Sequence, residues 1–184
     1  MFALRFASLF LLSASIVSAS PAPSFAAVDK RASTADIQTV FTTLQGSLGS
    51  ILPEITALGT SGNATDATVT PLIGDLTSAL DTATASLAAL PVSLKRQTDD
   101  DIANLVAGII TDIADALDSL LSTASTVPAL GTLLAGIDTS LNQVLVGLET
   151  LLAGVLELVA NLLVDVAGLL NSLALGLTLA SLGL

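Results

Sequence analysis

Cysteine, histidine, tryptophan and tyrosine are all missing from this 184-residue chain. Their absence removes thiol nucleophiles, imidazole acid–base chemistry and the thiolate and imidazole ligands of most transition-metal sites. It also removes disulfides, so stability has to rest on packing alone. Basic residues are scarce as well, five Lys and Arg against sixteen Asp and Glu. Such a chain repels phosphate backbones and anionic headgroups, which disfavours nucleic-acid partners and electrostatic docking on membranes. Affinity for a lipid or a surface must then come from apolar area. Apolar residues are plentiful, at 52% of the chain.

The N-terminus joins Arg5 to an apolar run from Phe6 to Leu12 and reaches small residues at Val17, Ser18 and Ala19. This pattern predicts a secretory signal peptide over 1–19. Residues 20–31 form a Pro- and Ala-rich pro-segment ending in the dibasic pair Lys30-Arg31, which places the mature start at Ala32. Processing there leaves 153 residues, Lys95 and Arg96 as the remaining cations, and a net charge of −13. That length suits one domain, residues 32–184. The expected location is extracellular, either secreted or associated with the cell wall.

Hydrophobic spacing predicts an all-α fold, a bundle of about four or five amphipathic helices. Ile37, Val40, Phe41, Leu44, Leu48 and Ile51 mark the first, with Ser33 or Thr34 as cap and Pro53 as its kink or end. A turn follows at 59–63, and Thr70-Pro71 reads as the start of a second helix running to about Leu90. The third begins with Thr98 as cap and Asp99, Asp100 and Asp101 in its first turn, where carboxylates meet unpaired amides. Its stripe runs from Ile102 to Leu121.

After Pro128 the apolar pattern continues in phase to Leu173. One unbroken helix over 128–184 would be about 85 Å long, so a break is expected, between Gly147 and Gly154. Residues 141–184 hold 17 leucines, and no charge follows Asp165. This predicts a very apolar C-terminal helix whose uncharged tail, 166–184, is buried, lipid-facing, membrane-spanning or part of a glycolipid-anchor signal.

Candidates for chemistry are few. Asn63-Ala64-Thr65 is a glycosylation sequon in a predicted turn. Asp99 to Asp101 lack the alternating ligands and central glycine of a calcium loop, so they read as a helix start and no metal is expected. Lys95-Arg96 reads as a solvated linker. Glu149 and Glu157 lie two turns apart, with no nucleophile or oxyanion donor beside them, and read as a solvated stripe. The chain is therefore expected to be non-catalytic and to need no cofactor.

The secretory leader, Lys30-Arg31, the Ser33-Thr34-Ala35-Asp36-Ile37 opening and the cysteine-free Ala-, Ser-, Thr-, Asp- and Leu-rich helices that follow carry a resemblance. Over roughly 32–155 the pattern resembles the fungal hydrophobic surface-binding protein A family, which includes lipid-binding cell-wall galactomannoproteins. That resemblance implies an extracellular bundle binding a fatty acid, another lipid or an apolar solid surface, with secreted lytic enzymes as further partners. The leucine-rich end after Val155 departs from the family pattern. The apolar residues expected to meet a ligand are Phe41, Leu44, Leu48, Ile109, Ile113, Leu148, Leu152 and Val155. The competing expectation is a wall or membrane-tethered structural protein.

Overall fold

The computed structural model describes residues 33–91, 100–123 and 125–184. Among them are seven α-helices and no strand. The four long ones are α1 (Thr34–Ser61), α2 (Asp66–Ala88), α3 (Asp100–Leu121) and α4 (Leu130–Leu151), followed by the short α5 (Val155–Leu162), α6 (Ala167–Ser172) and α7 (Gly176–Leu182). The expected signal peptide, pro-segment, Thr98, Asp99 and the Lys95-Arg96 linker lie outside the described residues.

Ser33 caps α1 through a reciprocal pair: its hydroxyl accepts from the Asp36 amide at 3.2 Å, and its own amide donates to the Asp36 carboxylate at 3.0 Å. Pro53 does not end α1, which runs on to Gly62, where a positive φ of 67° closes it. The proline forgoes one bond, to the Gly49 carbonyl. Ile55 and Gly59 beyond it are buried, so tertiary packing carries the helix past the defect. The turn is accordingly shorter than expected, Gly62 to Thr65.

The second helix begins at Asp66, not Pro71. Thr65 donates its amide to the Thr68 hydroxyl at 3.0 Å, and the Asp66 carboxylate accepts from the Ala129 amide at 3.2 Å. These contacts fix the extra turn upstream, and Pro71 sits inside the helix. Asp100 and Asp101 occupy the first turn of α3, as a helix start requires.

Packing partners define a ring. Gly59 of α1 lies against Ser119 of α3, so those helices run parallel with their C-terminal ends together. Asp66 reaches Ala129 and Asp81 accepts from the Ser140 hydroxyl at 2.8 Å, so α2 and α4 are also parallel. The antiparallel α1–α2 hairpin joins the two pairs. In this order, α3–α1–α2–α4, the outer helices α3 and α4 make no close backbone approach to each other among the described residues. The short helices fill the opening, α5 against α3 and α4, α6 against α3, and α7 against α4. One contiguous apolar core results.

The glycines after Pro128 divide in role. Gly154, at φ 90°, makes the expected break after Leu152, and a Cβ on Gly147 would lie 3.7 Å from the Leu87 side chain of α2. Gly168 faces open space. The expected C-terminal apolar helix is instead three short ones, and no helix among the described residues is long and apolar enough to cross a membrane. The interruptions have a physical cause: remote side chains hold the helix ends. Asp138 of α4, buried, accepts from the amides of Leu177 and Thr178 at 2.9 and 2.8 Å and from the Thr178 hydroxyl at 2.7 Å. Ser181 donates to Asn142 of α4. Glu149 is not a solvated side chain either: its carboxylate accepts from the amides of Gly154 at 2.8 Å and Leu156 at 3.3 Å, capping α5.

Candidate functional site

Each of the eight apolar residues expected to meet a ligand is no more than 3% exposed. Phe41, Ile113, Leu148, Leu152 and Val155 lie within the core and do not line the surface grooves described below. Leu148 and Leu152 close the end of α4, and Val155 opens α5 beyond the Gly154 turn. Leu44 borders a shallow groove of about 500 Å³ between α1 and α2. Leu48 and Ile109 meet across a larger one, about 710 Å³, along the seam of α1 and α3.

The larger groove follows from parallel packing of two helices with unlike side chains. Leu48, Leu52, Ile109 and Ala116 form its buried floor. Gly49, Pro53 and Ala57 form an exposed wall of small or ring-shaped side chains on α1. A Cβ on Gly49 would meet nothing within 4 Å, so the missing side chain is part of the groove's width. Thr56 and Thr60 also line it, and their hydroxyls donate to their own helix, to the Leu52 carbonyl at 3.0 Å and the Thr56 carbonyl at 2.9 Å. Their hydrogen-bonding capacity toward a ligand is reduced accordingly. Asp112 and Asp115 stand exposed on the α3 side.

The same self-contained hydroxyl chemistry covers much of the surface. Thr39, Thr42, Thr43, Thr82, Ser86, Thr139 and Thr150 each donate to the carbonyl four residues earlier. Sequence reasoning passed over these residues, together with Gly49, Asp112 and Asp115 as groove-lining positions. The available signal was a helix whose polar face carries Ser and Thr in place of Lys and Glu. Asn63 is exposed in the α1–α2 turn, and Thr65 of its sequon caps α2.

Among the described residues the charge is one-signed. All five basic residues lie outside the described residues, and among the described ones no three carboxylates converge as a metal ion would require. Five large apolar side chains are 43–59% exposed, Val146, Leu162, Val164, Leu177 and Leu184, all on α4 or later.

No family model matches the chain. Fruiting body differentiation protein 16 of Flammulina velutipes is 48% identical to it over 73 residues, 39% of this chain and 57% of that protein. The match thus spans little more than half of the relative's length. It establishes similarity to a fungal protein and does not extend to the hydrophobic surface-binding family.

Proposed function

We propose that the protein is an extracellular, non-catalytic binder of apolar surfaces and single acyl chains, and that the α1–α3 groove is where contact begins. The observation that carries this reading is the groove itself: an apolar floor of Leu48, Leu52, Ile109 and Ala116, walled by Gly49, Pro53 and Ala57, with hydroxyls turned to their own helix. Its volume, about 710 Å³, falls within the range of about 300–1,000 Å³ usual for small-ligand sites. The expected secretory leader and the resemblance to surface-binding proteins support the location and the ligand class. Similarity to a protein named for fruiting body differentiation supports a place in fungal development.

Phe41, Ile113, Leu148, Leu152 and Val155 take part in this reading only if the helices part, since each is sealed from solvent in the closed bundle. Spreading on an apolar solid would expose them, with burial against the solid replacing burial in the core at about 25 cal/mol per Å². The test is native mass spectrometry of the protein purified from its own cells, together with adsorption to polystyrene beads. Co-purifying acyl chains or tight adsorption support the reading. A protein that carries no lipid and stays in solution over polystyrene overturns it.

A further inference from the structure

The α1–α3 groove is uneven in charge. Its α1 wall is uncharged, contributed by Gln45, Gly49, Pro53 and Thr56, while its α3 wall presents two carboxylates, Asp112 and Asp115. They stand three residues apart and so face the same side of α3, with Cβ atoms about 5–6 Å from each other. No hydrogen bond or ion pair engages either side chain among the described residues. Among the described residues, a ligand lying on the apolar floor therefore has its polar end within reach of two negative charges and no positive one.

We propose that this groove takes the hydrocarbon chain of a cationic amphiphile, a long-chain amine or quaternary ammonium, with the head group held between Asp112 and Asp115. The inference rests on the reading of the groove as an acyl site and adds the charge of the ligand. A fatty carboxylate would set a third negative charge beside two others, at a cost that solvent screens without removing. A cationic head gains from the same arrangement. The neutral residues around it do nothing to reverse the preference.

Three probes with the same twelve-carbon chain separate head group from tail: dodecyltrimethylammonium, dodecyl maltoside and dodecanoate, each titrated calorimetrically below its micelle concentration. The cation should bind about tenfold tighter than dodecanoate, a ratio equivalent to about 1.4 kcal/mol, with the maltoside between them. Asp112→Asn with Asp115→Asn should reduce that ratio to about twofold or less. Asp75→Asn with Asp165→Asn makes the same change in net charge away from the groove and should leave the ratio intact. Gly49→Leu, whose Cβ would meet nothing within 4 Å and whose longer side chain would occupy the groove, should weaken all three probes alike. Circular dichroism verifies each fold, and Asp112→Glu with Asp115→Glu should retain the preference.

Equal binding of dodecanoate and the cation overturns the inference, as does a preference that survives the Asp112 and Asp115 exchange or disappears in the Asp75 and Asp165 control. Undiminished binding by the Gly49 variant overturns it too. In all these cases the acyl-binding reading survives, because some probe still binds. Failure of all three probes, with no adsorption to polystyrene, overturns that broader reading instead.

Discussion

Two glycines of α1 sit in opposite circumstances, and single-residue changes should show it. A Cβ on Gly59 would fall within 2.6 Å of the Ser119 backbone, so the α1–α3 crossing is as close as it is because that residue has no side chain. Gly59→Ala should cost about 1–3 kcal/mol as the helices are forced apart. Gly46, on the exposed face of the same helix, has open space where its side chain would be, and Gly46→Ala should add about 0.5–1 kcal/mol. Urea denaturation of the two variants checks both signs; a neutral Gly59→Ala would mean that the seam is loose. Ala174 presents the reverse case. It takes the left-handed conformation, φ 59°, after α6, with its amide donating to the Asn171 carbonyl and the Leu175 amide to the Leu170 carbonyl. This is the hydrogen-bond pattern that normally recruits glycine. Ala174→Gly should therefore stabilise the fold by about 0.5–1 kcal/mol, the relief of strain less the added freedom of the unfolded chain, and a raised melting temperature would verify it.

The helices after Gly154, of eight, six and seven residues, are too short to persist alone. Two of them, α5 and α7, depend on carboxylates of α4. Asp138→Ala would leave the buried Thr178 amide and hydroxyl and the Leu177 amide without their acceptor, at a cost of about 2–4 kcal/mol. Hydrogen exchange should quicken across 176–182 and stay slow in α2; uniform acceleration along the chain would show that the tail is not a separate unit. Glu149→Ala should act more mildly, about 1 kcal/mol, because its two acceptor contacts are only part-buried. This dependence also explains what was legible in the sequence. The 3.6-residue stripes place all four long helices, and the Ser33 cap and the break before Gly154 are local signals. The subdivision of the tail was not readable, because Asp138 is about forty residues from the amides it holds and leucine content says nothing about where a helix stops. Pro53 and Pro71 misled for the same reason: each costs one backbone bond, and contacts distant in sequence outweigh it. At the candidate site the apolar stripe named Leu48 and Ile109 but could not tell groove floor from sealed core, since both obey one periodicity.

At the scale of the whole molecule, a strong excess of negative charge and an apolar interior set the response to solution conditions. Adsorption to polystyrene should hold or strengthen between low and high salt, because screening relieves repulsion among acids and leaves apolar burial untouched. Adsorption that collapses in salt would indicate an electrostatic partner. Thermal denaturation should leave no role for reductants, as there is no cysteine to cross-link. The ring of helices also has an order in time. Its two outer long members, α3 and α4, are bridged by α5, α6 and α7, which are synthesised after everything they join. Until those residues leave the ribosome, no other described segment covers the apolar flanks of both helices. The protein thus passes through a stage of obligatory stickiness during its manufacture, when a chaperone has the most to hold and a stalled ribosome the most to lose.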